Sequence, residues 1–120
     1  MASTEPIPRQ GEIWLTAFGA ARVGEPGKNR PAVVLSVGES LHGSVYDLVI
    51  VAPFSATMTP ADVRPLVRGT PASGLGADSV VVVRALRGVA ASRLLKRVGV
   101  IDNDTLERIQ EIIAVLLGMP

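Results

Sequence analysis

The residue of this chain best suited to bind an anion is Arg30, which stands before Pro31 and the apolar run Ala32-Val33-Val34-Leu35. Proline fixes its own φ and restricts the preceding residue to extended conformations. Arg30 therefore leaves the chain at a defined angle where a buried strand begins, and a guanidinium held in this way binds anionic oxygens through paired hydrogen bonds. Alone, the pattern is equally typical of a basic residue that only marks the start of a strand.

Few other side chains offer reactive chemistry. The chain has no cysteine and a single histidine, His42, so it lacks the residues for a disulfide framework, a thiolate metal site or a multi-histidine site. We therefore expect metal-free chemistry and no cofactor. The spacing indicates no Ser/His/Asp arrangement, and we assign no nucleophilic serine.

Basic residues concentrate in one part of the chain, although the formal net charge is only +1. Residues 63 to 101 contain one acid, Asp78, and the bases Arg64, Arg68, Arg84, Arg87, Arg93, Lys96 and Arg97. Such a segment suits the phosphates of a nucleic acid. The alternative is a solvated surface whose bases pair in the fold with acids from the two ends of the chain.

Short strands and one helix are expected to position these groups. Apolar patterning predicts strands over residues 11–15, 31–37, 45–53 and 80–83 and a short strand near 63–67, with 31–37 and 45–53 forming a hairpin. Glycine and proline predict loops over 18–29 and 58–76 and a turn over 38–44. Residues 84–88 are interpreted as a strand end or turn, and 91–96 as one or two helical turns before 98–101. Asp102 is expected to cap a helix over 102–117 that Gly118 ends.

This order of elements predicts a mainly β fold, a small curled antiparallel sheet or barrel closed by a C-terminal α-helix. The length of 120 residues suits one domain, over residues 10–120, after a flexible tail over residues 1–9. The tail lacks the features of a signal peptide, and no apolar run is long enough to span a bilayer. We expect a cytoplasmic protein with no membrane partner.

Several motifs occur in a defined order along the chain. Gly11-Glu12-Ile13-Trp14 is followed by Arg30-Pro31 with its apolar strand and Ser36, and then by Val51-Ala52-Pro53-Phe54-Ser55. Ser73-Gly74-Leu75, Asp78-Ser79-Val80, Arg87 and Ser92-Arg93-Leu94 come next, before the helix. In this order and spacing the motifs resemble the MazF/PemK family of toxin endoribonucleases, also called the Kid family, over nearly the whole chain.

The resemblance implies an SH3-like barrel, a homodimer and a single-stranded RNA substrate. It also implies a cognate antitoxin whose tail occupies the RNA groove, with operator DNA bound only through the antitoxin complex. Cleavage is expected to be sequence-selective and metal-independent, through attack of the ribose 2′-hydroxyl on the adjacent phosphate to leave 2′,3′-cyclic phosphate and 5′-hydroxyl ends. Arg30 corresponds to the key arginine of the family and Ser55 to its catalytic threonine or serine. The expected RNA-binding residues are Glu25, Lys28, Arg84 and Arg87.

The chemistry of this reaction fits the two matched residues. In-line attack builds negative charge on the phosphorane oxygens, and the fork of Arg30 is suited to accept that charge. Ser55 can donate to a phosphate oxygen or orient the 2′-hydroxyl, although a lone serine has no basicity near neutral pH. The competing interpretation of Ser55 is a cap at the end of a strand.

The chain departs from the family at two places. Arg84 and Ala85 stand where many members carry an acid and a glutamine, and Gly24 stands where one branch carries a catalytic histidine. The general base is therefore not identified; Glu25 and His42 are candidates, each with a solvated surface residue as the alternative. The departures also motivate a competing hypothesis, a non-catalytic SH3-like module that binds an antitoxin peptide or operator DNA.

Overall fold

The computed structural model of the protein describes residues 7–19, 28–37 and 48–120. Several sequence-based predictions lie outside these residues: the first part of the expected tail (1–6), most of the expected loop before Arg30 (20–27) and the turn over 38–44. Gly24, Glu25 and His42 lie outside them too.

The described chain forms short antiparallel strands followed by one helix. The strands are β1 (Glu12–Ala17), β2 (Asn29–Val34), β3 (Leu48–Ser55), β4 (Leu66–Val67), β5 (Ser79–Val81), β6 (Arg87–Ala90) and β7 (Leu94–Val100), and the helix is α1 (Asn103–Leu116). Neighbouring strands follow the order β4-β5-β3-β2-β1-β7, and β6 also pairs with β3. This arrangement confirms the predicted mainly β fold with a C-terminal helix.

Strand β3 is the point at which the sheet curls. Its first half pairs with β6 through Leu48–Val51, whereas its last two residues, Phe54 and Ser55, pair with β5. Pro53 stands between the two halves, and its carbonyl oxygen accepts the N–H of Val82 at 2.8 Å. β2 pairs with the other edge of β3. β3 therefore connects the part of the sheet that contains β2 and β6 to the part that contains β5.

Alternate side chains of the central strands pack on opposite faces of the sheet. One set, which we call the helix face, consists of Ile13, Val33, Ala52 and Phe54 and packs against Ile109 and Ile112 of α1. The other set, which we call the arginine face, consists of Trp14, Phe18, Ala32, Val34, Val49, Val51, Val89 and Leu94. Arg30 belongs to the arginine face because it lies two residues before Ala32 on β2. Among the described residues, none of α1 joins the arginine-face cluster.

The helix begins and ends where the sequence predicts. Asp102 Oδ1 accepts the N–H of Thr105 at 2.7 Å, and this hydrogen bond lowers the pKa of the Asp102 carboxyl. After Leu117, Gly118 adopts a φ of 69°, a conformation that glycine takes without steric cost and that ends helices. Cap, apolar stripe and stop signal thus agree in the sequence and in the structure.

Two backbone segments cross so closely that only glycine fits at the crossing. A Cβ on Gly99 of β7 would overlap the carbonyl oxygen of Ser73, and one on Gly74, whose φ is 69°, would overlap that of Val98. The buried hydroxyl of Ser73 donates to the carbonyl oxygen of Arg68 at 2.8 Å, and Val100 N–H donates to Ala72 at 3.0 Å. The Ser73-Gly74-Leu75 motif therefore fastens a loop to β7.

The predicted boundaries of the β2–β3 hairpin were wrong by a few residues. Strand β2 covers Asn29–Val34 rather than 31–37, because Asn29 already pairs with Ala17 of an extended β1. At its other end the side chain of Ser36, not a ladder carbonyl, accepts the N–H of Ile50 at 3.0 Å. Arg30 thus lies inside a strand rather than before one. Strand β3 runs on to Ser55, beyond the predicted end at Pro53.

The strand of the valine run ends earlier than predicted, and the segments after it contain turns shorter than predicted. Strand β5 stops at Val81, and a 3-10 turn over Val83–Ala85 follows, with Ala85 N–H bonded to Val82 O at 3.0 Å. Of the two interpretations of 84–88, the turn is confirmed for Arg84 and Ala85, and β6 begins at Arg87. The predicted helical turns near 91–96 are one 3-10 turn, Ala91–Arg93, followed by β7. The expected strand near 63–67 is only Leu66–Val67, preceded by a bridge between Ala61 and Arg64.

None of the helices in the described ranges is both long and apolar enough to cross a membrane. Arg9, assigned to the expected tail, exchanges hydrogen bonds with Glu12: its N–H donates to Glu12 Oε1 at 2.8 Å, and its carbonyl accepts from Glu12 N at 3.0 Å.

Candidate active site

Arg30 and Ser55 come together at one end of the arginine face. Arg30 is half-buried on β2, opposite Thr16 of β1. On its other side, the β2–β3 pairing ends at Ala32 and Pro53, two residues from Arg30 on β2 and two residues from Ser55 on β3. Arg30 Nη1 donates to the carbonyl oxygen of Phe54 at 3.3 Å. The guanidinium is therefore held next to Ser55 by the backbone of β3.

Ser55 ends β3 with its hydroxyl oriented by the following turn. Its Oγ accepts the N–H groups of Thr57 at 3.3 Å and Met58 at 3.2 Å, and it lies 3.3 Å from Thr57 Oγ1. The capping role that the sequence left open is thus present. Because two N–H groups occupy the oxygen as acceptor, the hydroxyl proton is left for an acceptor, and Thr57 Oγ1 lies within reach of it. Thr57 is exposed and sequence reasoning missed it; its position two residues after Ser55 was the available signal.

Phe18 and Arg87 lie on the same face as Arg30. The Cζ of the exposed Arg87 lies 5.8 Å from the centre of the Phe18 ring, which is buried, a distance typical of a cation–π contact. Phe18 N–H donates to Lys28 O at 3.0 Å, and Lys28 N–H donates to Gly19 O at 2.5 Å. These bonds connect the end of β1 to the residue two before Arg30.

Lys28 is exposed and has a φ of 63°. It is the one non-glycine residue with positive φ among those the structure describes. A lysine in the left-handed region costs of order 1 kcal/mol, and such conformations concentrate at functional sites. The two hydrogen bonds with Phe18 and Gly19 offset this cost locally.

Arg93 is a basic residue of this region that sequence reasoning did not assign to the site. Its Nη1 donates to the carbonyl oxygen of Ala17 at 3.1 Å, which places its guanidinium beside the same end of β1 that carries Phe18. The sequence contained a weak signal, since Arg93 lies in the basic segment and in the motif Ser92-Arg93-Leu94.

The described residues give no direct contact between Arg84 and the other predicted site residues. Arg84 is exposed in the 3-10 turn that follows β5, and no described residue forms an ion pair or hydrogen bond with it. That turn packs its buried Val83 into the helix-face cluster. Glu25 lies outside the described residues.

Some bases of the basic segment pair with acids within the fold, which is the alternative that the sequence left open. Arg97 Nε donates to Glu12 Oε2 at 2.7 Å, and Arg68 pairs with Asp78 at 3.3 Å. Burial raises the pKa of Glu12, but hydrogen bonds from the Arg9 N–H, the Trp14 indole and Arg97 outweigh it, so the net pKa lies below its ordinary value. These charges are compensated within the fold.

Two further observations concern base-stacking aromatic residues and metal ligands at this site. Trp14 and Phe54 are buried in the arginine-face and helix-face clusters, respectively, and are therefore core residues rather than base platforms. Within residues 7–19, 28–37 and 48–120, no group of three or more His, Cys, Asp or Glu side chains is arranged to hold a metal ion.

Comparison with known proteins assigns this arrangement to a family. Residues 9–117 match the family model described as a PemK-like, MazF-like toxin of type II toxin-antitoxin systems. The chain belongs to the PemK/MazF toxin family. It is 25% identical over 115 residues to Endoribonuclease MazF9 of Mycobacterium tuberculosis, with 92% of this chain and 97% of that protein covered.

Solved structures of the PemK/MazF family share the fold. A crystal structure of MazF from Deinococcus radiodurans superposes with a TM-score of 0.80 at 22% identity, covering 96% of this chain and all of that one. A MazE-MazF crystal structure from the same organism gives a TM-score of 0.73 at 22% identity, covering 97% of this chain and 100% of the other. These likenesses confirm the predicted MazF-like architecture.

Proposed function

We propose that this toxin is an endoribonuclease that cleaves single-stranded RNA at the Arg30–Ser55 end of the arginine face. The observation that carries the proposal is the Arg30–Phe54 hydrogen bond of 3.3 Å, which holds a guanidinium at the end of β3 that carries Ser55. Membership in the PemK/MazF family and the similarity to a protein named Endoribonuclease MazF9 support it.

The reaction joins the ribose 2′-oxygen to the adjacent phosphorus and breaks the bond from phosphorus to the 5′-oxygen. The 2′-hydroxyl loses its proton, the 5′-oxygen gains one, and the products end in a 2′,3′-cyclic phosphate and a 5′-hydroxyl. Arg30 donates to the equatorial oxygens, on which negative charge develops. Ser55, whose hydroxyl contacts Thr57 Oγ1 in the free protein, donates its proton to a phosphate oxygen or orients the 2′-hydroxyl. Neither residue is assigned as the general base.

The same proposal includes independence from metal ions. Its support is the composition, with no cysteine and one histidine, and a charge-stabilising group, Arg30, already at the site. Backbone contacts fix that group before substrate arrives, so little reorganisation accompanies the reaction.

An antitoxin and a second copy of the chain are the proposed protein partners, and the cytoplasm is the proposed location. The MazE-MazF structure from Deinococcus radiodurans supports an antitoxin. For a homodimer the support is an apolar strip on β3, where Leu48 and Ile50 are 54% and 42% exposed opposite Ala90 and Gly88 of β6. Sedimentation of the wild type and of Ile50→Glu tests it: we expect a dimer that Ile50→Glu dissociates, and a monomeric wild type contradicts it.

The test of the proposed activity is the chemistry of the product ends. The purified chain is incubated with long single-stranded RNAs in excess chelator, and the cut positions are mapped. We expect fragments with 2′,3′-cyclic phosphate and 5′-hydroxyl ends, and no cut when the nucleotide before the cut carries a 2′-deoxyribose. Intact RNA across the panel, or cleavage of the 2′-deoxy substrate, contradicts the proposal. Intact RNA together with tight binding of an antitoxin peptide would favour the non-catalytic module instead.

A further inference from the structure

Two arginines near the site keep their charges uncompensated by the described part of the chain. Arg68, Arg97 and Arg108 each form an ion pair, with Asp78, Glu12 and Glu111. Arg87 and Arg93 form none with any described residue, although both are exposed. Instead, each is fixed at the end of β1 by an uncharged partner. A cation oriented in this way and not neutralised is suited to an anionic ligand.

The two contacts orient the guanidinium groups differently. Arg87 lies over the ring of Phe18, with its Cζ 5.8 Å from the ring centre. The guanidinium therefore lies over the aromatic ring, while the Arg87 residue as a whole is exposed to solvent. Arg93 is held by a single hydrogen bond from Nη1 to Ala17 O, which leaves its other N–H donors for oxygen atoms.

Phe18 connects these arginines to the cleavage site. Ala17 pairs with Asn29, the residue before Arg30, and Phe18 N–H donates to Lys28 O. Gly19 follows with a φ of 81°, and a Cβ there would lie 3.9 Å from Arg93 Nη1. Arg93 therefore lies near Gly19, whose carbonyl oxygen accepts the N–H of Lys28, two residues before Arg30.

We propose that Phe18, Arg87 and Arg93 form a nucleotide subsite beside the Arg30–Ser55 site. A base of the substrate stacks on the solvent side of the Arg87 guanidinium, and Arg93 binds a phosphate oxygen of the same RNA segment. Guanidinium planes are established stacking partners for unpaired bases, and Phe18 fixes the plane before RNA binds. The subsite rests on the proposed function for its substrate, single-stranded RNA.

Such a subsite recognises the shape of a base rather than its hydrogen-bonding edge. Stacking tolerates every base and strengthens with the area of the ring system, so the subsite favours purines over pyrimidines without requiring one base. Arg93 adds affinity that falls with salt and does not depend on the base.

The experiment measures binding separately from cleavage. The probe is a fluorescent single-stranded RNA with a 2′-O-methyl group at the nucleotide before the mapped cut, or a mixed-sequence RNA if no cut is found. A set of such probes carries one abasic nucleotide at each successive position. The dissociation constant is measured by anisotropy for the wild type, Arg87→Ala, Arg87→Lys, Phe18→Leu and Arg93→Gln, with Arg108→Ala on α1 as the matched charge control.

We expect Arg87→Ala to weaken binding about tenfold and Arg87→Lys to weaken it nearly as much, because lysine keeps the charge and loses the plane. One abasic position should weaken binding to the wild type about tenfold and leave Arg87→Ala unaffected. Phe18→Leu should reduce that same abasic effect, because it removes the ring but keeps an apolar side chain at this buried position. Arg93→Gln should lower the slope of log affinity against log salt by about 0.7 at every probe.

Two results would overturn the subsite: Arg87→Lys binding like the wild type, or abasic penalties that are equal in the wild type and Arg87→Ala. If the wild type binds RNA with these signatures but cuts none, the proposed activity fails and the subsite stands. If it cuts RNA and Arg87→Ala behaves like Arg108→Ala, the subsite fails and the activity stands.

Discussion

The helix face and the arginine face use alternate residues of the same strands, yet they differ in what their strand ends carry. On the helix face, Ile13, Val33 and Phe54 pack against α1 and the cluster is apolar throughout. On the arginine face, Trp14, Ala32 and Val51 form an apolar centre, but the next positions along the strands are polar, at Arg30 and Ser55.

The difference shows how a small sheet combines stability with a charged site. Burial of large apolar side chains stabilises the fold by roughly 1.5–3 kcal/mol each, and most of that burial against α1 occurs on the helix face. The arginine face can therefore carry a half-buried arginine whose desolvation would be costly in a closed core. Changes on the helix face should mainly affect folding, and changes at the polar end of the arginine face should mainly affect chemistry.

The largest expected effect is a loss of stability from a substitution at the close crossing of β7 and the Ser73-Gly74 loop. Gly99→Ala would force a Cβ into the Ser73 carbonyl, so we expect a loss of at least about 4 kcal/mol in the free energy of unfolding, measured by urea denaturation. Gly76→Ala is the matched control, because nothing lies within 4 Å of a Cβ there. Equal stability of the two variants would contradict the crossing.

The next effect separates the faces directly. Ile109 on α1 is fully buried against the helix face, so Ile109→Ala should lower the free energy of unfolding by about 3 kcal/mol and Ile109→Val by about 1 kcal/mol. The RNA cleavage rate per folded molecule should stay within about twofold of the wild type, since neither change touches Arg30. A large fall in that rate for Ile109→Val would contradict the proposed division of roles between the two faces.

Ser55 combines both kinds of effect in one residue. Ser55→Ala removes the acceptor for the Thr57 and Met58 N–H groups, which should cost about 1 kcal/mol of stability. It also removes the donated proton, and we expect cleavage to fall about tenfold as measured in single-turnover assays. Ser55→Thr should retain both properties in large part. A stability loss with full activity would assign Ser55 to the turn alone.

The smallest effect concerns Glu12, which lies on β1 with the ion pair to Arg97. Because the folded pKa of Glu12 is lowered below the ordinary 4.5, its stabilisation is present above that pH and lost as pH falls through the folded pKa. Glu12→Gln should cost about 1 kcal/mol at neutral pH. Denaturation at several pH values should show the stabilities of wild type and variant converging as the pH falls below the ordinary value of 4.5, and a constant difference would contradict the pKa shift.

The sequence predicted the elements whose signals are local. The α1 helix followed from Asp102, its apolar stripe and Gly118, and the hairpin of β2 and β3 followed from two apolar runs around turn residues. The pairing of Arg30 with Ser55 was expected only through the family resemblance, since the two residues are 25 positions apart.

The remaining features depend on contacts between distant parts of the chain. Val82 and Val83 have strong strand propensity, but the carbonyl of Pro53 binds Val82 and the chain turns there, so tertiary structure overrides propensity. Strand β6 begins at Arg87 because β3 offers it an edge, which no local pattern shows. The contacts of Arg87 with Phe18 and of Arg93 with Ala17 could not be predicted from the sequence for the same reason.

The central claim is that Arg30 on the arginine face stabilises the transition state of RNA cleavage. The most direct measurement is the single-turnover cleavage rate of Arg30→Ala and Arg30→Lys at one mapped site, with their unfolding midpoints measured alongside and Arg108→Ala as the control. We expect Arg30→Ala to lose about 10²–10³-fold in rate, Arg30→Lys to recover only part of it, and both to remain folded. Cleavage by folded Arg30→Ala at the wild-type rate would contradict the claim.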